Sequence, residues 1–187
     1  MYYFCQYRLT KQSANVAVFY MVIMLVLSFR LTAQQYSVLT IPQDLQINAN
    51  AVVRFEQNEF EVIDKGRAIH RMRQVVTILN DKDTDEFTTL KVGYDKFTKV
   101  KRLEGKVYNM LGKEIYSLKN SDIEDIGIGV LQQSEITDNR VKYARIDKKN
   151  FSYPFTIDYF IELEERNLMF YPVWVPQASN NLAVEKA

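Results

Sequence analysis

The chain has 187 residues, 47% hydrophobic and 25% charged, with a net charge of +1. These proportions exclude a disordered chain and supply enough apolar side chains for one domain with its own core. Twelve Tyr and eleven Phe against six Gly and four Pro favour sheet over coil.

The N-terminus has the order of an export signal. Arg8 and Lys11 precede the apolar run Val16–Phe29, and Arg30-Leu31-Thr32-Ala33 supplies a small residue at the cut. Cleavage is expected after Ala33. An uncleaved anchor is the alternative, but the run falls short of the roughly 20 residues that a spanning helix needs. The only Cys, Cys5, lies before the run, where it cannot serve as a lipid attachment point. Loss of residues 1–33 removes Arg8, Lys11 and Arg30, taking 24 basic residues to 21 against 23 acidic ones, a net charge of −2. No basic surplus then remains to bind a phosphate backbone, so nucleic acid is not an expected partner. Stable membrane insertion is not expected once the signal is cut. With Cys5 gone there is no disulfide framework, and a core must do the stabilising.

Residues 34–50 form a lead-in, with one helical turn expected at Ile41–Leu45, and 51–187 form the main domain. Ala51–Glu56 reads as a strand with Val53 and Phe55 on one face, Asn58 as a turn, and Phe60–Ile63 as the returning strand. Gly66 breaks the pattern. Arg67–Asn80 is a long strand whose VVTIL stretch predicts burial on both faces. Asn80–Asp83 is a turn, while Thr84–Val92 fits a short helix or a ragged strand. Val100–Leu118 is a hairpin. Leu103, Gly105 and Val107 face one way and Arg102, Glu104, Lys106 and Tyr108 the other, with Asn109 and Gly112 at the turn. Ser121–Asn139 reads as a surface loop with room for one short strand, and Arg140–Ile146 as a strand. In Phe155–Glu164 five apolar residues at period two, Phe155, Ile157, Tyr159, Ile161 and Leu163, define a core strand with a mostly wet outer face. Leu168–Val175 carries prolines that suit an edge strand or extended segment, and Leu182–Lys186 begins one more strand. Strands at this spacing predict a mostly β fold, an antiparallel β-sandwich.

The inventory for chemistry is poor. No Cys survives cleavage, and a Ser-His-Asp triad would have to use His70, the one histidine, inside a strand and without a G-x-S-x-G elbow. A strand histidine on a partly wet face is the expectation. Zinc lacks ligands. Asp122, Glu124 and Asp125 lack the calcium-loop spacing and read as solvated charges. Glu162 and Glu164 share one strand face, as surface carboxylates do. No catalytic residue, metal or cofactor is expected. The aromatic run Phe170, Tyr171, Trp174 is the one candidate contact surface. It can cover the end of the core, dock a domain or stack on a sugar.

Several segments taken together resemble a known family: VVTILNDKD (Val75–Asp83), YDKFTKVKRLEGKVYNMLGKEI (Tyr94–Ile115), SDIEDI (Ser121–Ile126), DNRVKYARID (Asp138–Asp147), YPFTIDYFIE (Tyr153–Glu162) and PVWVPQ (Pro172–Gln177). Their order and spacing are similar to domain of unknown function family 3857, in the variety found in exported Bacteroidetes proteins, from about Ile41 to the end. The resemblance implies a non-catalytic β-sandwich that precedes a transglutaminase-like, papain-type domain in relatives. Relatives continue beyond the position of Ala187, which implies a truncated gene product, a fragment or a stand-alone version here. No triad residue is present to carry that domain's activity. The expected function is therefore a periplasmic or extracellular module for domain packing or protein interaction, the alternative being a stand-alone module that binds a glycan or a surface protein.

Overall fold

The computed structural model describes residues 21, 36–128, 138–166, 168, 172–175 and 182–187. The chain divides into two units, Met1–Gln35 and Tyr36–Ala187. The expected signal segment lies, save for Met21, outside the described residues, and the fold is that of the second unit. Among the described residues no helix is long and apolar enough to cross a membrane.

The protein is mostly β. The described strands are β1 Ala51–Asp64, β2 Arg67–Ile78, β3 Thr89–Tyr94, β4 Thr98–Tyr108, β5 Glu114–Ser117, β6 Glu124–Gly127, β7 Arg140–Arg145, β8 Phe155–Glu165 and β9 Leu182–Val184. They form a six-stranded sheet, β5-β4-β8-β2-β1-β9, and a three-stranded sheet, β3-β7-β6. Every pair is antiparallel except β1–β9, which is parallel. β9 follows β8 through a long connection rather than a tight turn, so no hairpin forces it to reverse.

The core lies between the sheets. Val53, Val76, Ile78, Val107, Phe155, Ile157 and Leu163 come from the large sheet, and Leu90, Val92 and Ala144 from the small one. β8 sits centrally, paired with β4 on one side and β2 on the other. Its predicted inward set, Phe155 to Leu163 at period two, packs in or against this core. Gly105 is paired with Tyr159, and a Cβ there would lie 3.1 Å from the Tyr159 ring, so the missing side chain lets the aromatic ring cross β4.

A second, smaller cluster covers the opposite face of the large sheet at one end. Val38 and Ile41 of the lead-in pack on Val52, with Leu45, Leu79 and Ala183 alongside. This cover buries Val75–Ile78 on both faces, as the apolar run predicts. Within the lead-in, a 3-10 turn at Val38–Thr40 precedes a helical turn at Gln43–Gln46. The Val38 N–H donates to the Met110 carbonyl at 3.0 Å, so the lead-in also docks on the β4–β5 turn. That turn forms as expected. Asn109 Oδ1 accepts from the N–H groups of Leu111 and Lys113, each at 3.0 Å, and Gly112 takes φ 81°.

Several expectations are corrected. Asn58 is not a turn: β1 runs through it, opposite Met72, and its side chain meets His70 Nε2 at 2.7 Å. The hairpin turns instead at Lys65-Gly66, where Asp64 Oδ1 accepts the Gly66 N–H at 2.9 Å. Val53 and Phe55 do not share a face, because the register shifts between them and leaves Arg54 as an extra residue. Buried Arg54 uses that bulge. Its guanidinium donates to Glu185 Oε2 at 2.6 Å, the Ser37 carbonyl at 3.1 Å and Thr40 Oγ1 at 2.8 Å, tying the lead-in to the residue after β9. Thr84–Val92 resolves into a helical turn, Asp85–Thr88, followed by β3. Of the segment expected as an edge strand or an extended segment, the described residues Pro172–Val175 are not a strand, which leaves the second of these readings.

Ile157 is fully buried at the centre of the large sheet. Ile157→Ala is expected to cost about 2–5 kcal/mol in urea unfolding, the usual range for an aliphatic truncation that leaves a cavity. A loss near zero would show that the two faces of β8 are assigned wrongly.

Candidate functional site

Beyond the lead-in, the outer face of the large sheet is open and holds a basin of about 410 Å³. Its walls follow from strand alternation and register. Arg71 and Arg73 on β2 stand opposite Glu162 and Phe160 on β8, which in turn face Arg102 and Glu104 on β4. Phe160 forms part of the lining, with the Arg102 guanidinium 4.7 Å from its ring centroid.

The charges are matched. Arg71 Nε donates to Glu162 at 3.0 Å and Nη1 to Glu61 at 2.9 Å. Arg102 Nη2 donates to Glu104 at 2.6 Å, and Lys106 meets Glu114 at 3.3 Å. Arg73 binds both oxygens of Asp158, at 3.1 and 2.8 Å. Glu162 and Glu164 are thus half-buried ion-pair partners rather than wet-face residues, Glu164 meeting Lys101 at 3.7 Å and Arg166 at 3.2 Å.

Tyr36 closes one end. Its ring stacks on Tyr108 at 3.9 Å with an interplanar angle of 1°. Its hydroxyl donates to Asp158 Oδ2 and accepts from Arg73 Nη2, each at 2.8 Å. Burial first, and then the carboxylate partner, push the Tyr36 phenol well above its ordinary range. The cluster therefore holds tyrosine neutral and positions the lead-in. Tyr108, assigned by its spacing to the wet face, is buried under this stack.

Of the aromatic run, Phe170 and Tyr171 lie outside the described residues. Trp174 is 44% exposed, between Val173 at 89% and Val175 at 61%. Its indole N–H donates to Glu56 Oε1 at 3.0 Å, which ties Trp174 to β1. Trp174 lines neither the outer-face basin nor the smaller cleft beside Glu56 and Met72.

The remaining polar candidates have structural roles. His70, expected on a partly wet face, is buried on the inner face, beside Phe60 and across from Leu163. Of the acidic residues in the 122–125 stretch, Glu124 is exposed as expected, but Asp122 and Asp125 are not simply solvated. Asp125 accepts from the Tyr94 hydroxyl, from Arg140 at 2.9 Å and from Lys142 at 3.0 Å. These partners, Tyr94 first, lower its carboxyl to about 2. Asp122 accepts from the Tyr116 hydroxyl at 2.7 Å and from the Lys119 N–H at 3.0 Å. Among the described residues no group of three or more His, Cys, Asp or Glu is placed to hold a metal ion.

Residues 64–181 match the model of one family, a domain of unknown function with solved structure, DUF3857. The chain belongs to the DUF3857 family. The matched span is narrower than the resemblance read from the residues. It runs from the last residue of β1 past β8, leaving the lead-in, most of β1 and all of β9 outside. The fold of this DUF3857 chain is similar to the crystal structure of a putative protease from Parabacteroides distasonis, with a TM-score of 0.51 and 10% identity. That match covers 62% of this chain and 23% of the other, so this chain spans about a quarter of that protein's length. No curated protein matches.

Two predictions come from these groups. Tyr36→Phe is expected to cost about 1 kcal/mol, because both hydrogen bonds of the hydroxyl are lost while Asp158 and Arg73 keep each other. Arg73→Leu should cost more, about 2–3 kcal/mol, because the nearly buried Asp158 carboxylate then keeps only Tyr36. Equal losses in urea unfolding would contradict this hierarchy. For His70, burial lowers the imidazole below its ordinary 6.5, so the unfolded chain takes up the proton first as pH falls. Its contribution to stability is full above 6.5 and is lost between 6.5 and the lowered folded value. His70→Gln should therefore shrink the stability difference measured between about pH 8 and about pH 5, and an unchanged difference would rule His70 out as its source.

Proposed function

We propose that this chain is a non-catalytic, exported β module that docks against a transglutaminase-like, papain-type domain. The observation that carries the reading is the exposed apolar run Val173-Trp174-Val175, held on β1 by the Trp174–Glu56 hydrogen bond. Three neighbouring apolar side chains left in water on a fixed segment suit a contact that removes them from it. Matched charges in the outer-face basin fit a folded polypeptide surface better than a polyanion, since each cation there is already offset by an acid.

Support for the absence of catalysis comes from the inventory. Cys5 precedes the expected cleavage point, and His70 is buried with Nε2 bonded to Asn58. Neither is placed as an activated nucleophile or a poised base. The structural neighbour carries a protease description on a far longer chain, which fits a module that accompanies a catalytic domain.

The test is calorimetric titration of the full chain with a transglutaminase-like domain taken from a longer family member. One-to-one binding is expected, weakened about tenfold or more by Val173→Asp with Val175→Asp. Both positions are exposed, so the double variant should unfold at the same urea midpoint as the parent. Absence of binding, unchanged affinity in the double variant, or peptide or isopeptide turnover by the chain alone would overturn the reading.

A further inference from the structure

A second concavity, about 340 Å³, lies at the corner where the chain passes from β3 of the small sheet to β4 of the large one. Its rim is fixed. Asp95 Oδ1 accepts the N–H groups of Phe97 and Thr98, each at 2.8 Å, in an Asx turn. The Arg166 N–H donates to the Phe97 carbonyl at 2.8 Å, pinning the corner to the end of β8.

The lining carries four cations, Lys96, Lys99, Lys142 and Arg166, against one acid, Asp95. Lys142 and Arg166 have partners in Asp125 and Glu164, at 3.0 and 3.2 Å. Lys96 and Lys99 make no ion pair among the described residues, whereas Arg71, Arg73, Arg102 and Lys106 of the outer-face basin all do. Asp95 spends one oxygen on the backbone. With the partner carboxylates Asp125 and Glu164 counted beside Asp95, the four lining cations exceed the acids by one; Lys99 stands opposite Glu164 in the β4–β8 register without pairing to it, and the lining Thr98 hydroxyl donates to Glu165 at 2.7 Å. An apolar platform stands beside it: Phe97 is exposed, with the Lys96 ammonium 5.1 Å from its ring centroid.

We infer that this corner binds a small organic anion. A carboxylate or phosphate group sits between the Lys96 and Lys99 ammoniums, and a flat apolar group of the same ligand lies against Phe97. The volume falls within the usual range for small-molecule sites. Because both lysines are exposed, salt screens the attraction and affinity falls as ionic strength rises.

Phenyl phosphate is the probe, titrated into the full chain by calorimetry and by amide NMR, with inorganic phosphate and benzyl alcohol alongside. The expected result is saturable binding of phenyl phosphate, tighter than either control and weakened by salt, with shifts centred on residues 94–99, 142 and 166. Lys96→Gln with Lys99→Gln should reduce the affinity about tenfold without moving the urea midpoint. The inference is overturned if benzyl alcohol binds as well as phenyl phosphate, if the double variant binds unchanged, or if the shifts centre elsewhere. Equal affinity for inorganic phosphate and phenyl phosphate would overturn the role given to Phe97.

Discussion

The structure depends on how the large sheet is covered. β8 and β2 run through its middle, and their inner faces pack against the small sheet, leaving a cleft of about 180 Å³ beside Met72, Tyr159 and Ile161. Their outer faces are closed only at one end, by the lead-in. Where cover exists on both sides, the side chains are apolar or pair their polar atoms internally. Val75, Val76 and Ile78 are buried, and the Thr77 and Thr156 hydroxyls meet at 2.8 Å. Where the outer cover ends, the same two strands change to Arg71, Arg73, Asp158 and Glu162, and the basin begins. A buried hydroxyl without a partner is costly, so the Thr–Thr contact and the apolar lead-in form a consistent set; the Tyr159 hydroxyl on the inner face, buried without a hydrogen-bond partner among the described residues, is the exception.

The boundary between covered and open sheet is held by polar locks. Arg54 joins Ser37, Thr40 and Glu185, which brings the segment before β1 and the residue after β9 to one bulge. Tyr36 joins Arg73 and Asp158 and stacks on Tyr108. Both locks use cations whose hydrogen-bonding groups face several acceptors, and both draw on residues far apart in sequence. The lead-in is therefore an integral layer of the domain, even though the family match begins only at residue 64.

The two concavities differ in electrostatic completeness. The outer-face basin has its acids and bases in register across three strands, so its field is short-ranged and its surface suits a structured polypeptide contact. The corner pocket sits where the chain changes sheets: Lys96 precedes β4, and Lys99, near the start of that strand, stands opposite Glu164 of β8 but makes no ion pair among the described residues. A sheet interior distributes charge in cross-strand pairs, whereas Lys96, in the turn before β4, has no cross-strand partner.

Much of this was legible in the chain itself. Period-two alternation fixed the inward set of β8, the double-sided burial of Val75–Ile78 followed from an unbroken apolar run, and Asn109 with Gly112 marked the hairpin turn, because each signal acts within a few residues. The failures share one cause. Asn58 carries a turn residue's side chain but is satisfied by His70 across the strand pair, Arg54 breaks the alternation through a bulge that only a partner strand can define, and Tyr108 is buried by Tyr36 from another part of the chain. The basin could be glimpsed in Arg71, Arg73, Arg102, Glu104 and Asp158 as outer-face residues, but not assembled. By itself the sequence determined most of the strands and the inward face of β8. Only the tertiary structure decided which polar residues meet, because cross-strand register and the docking of the lead-in depend on contacts between segments that local spacing does not encode.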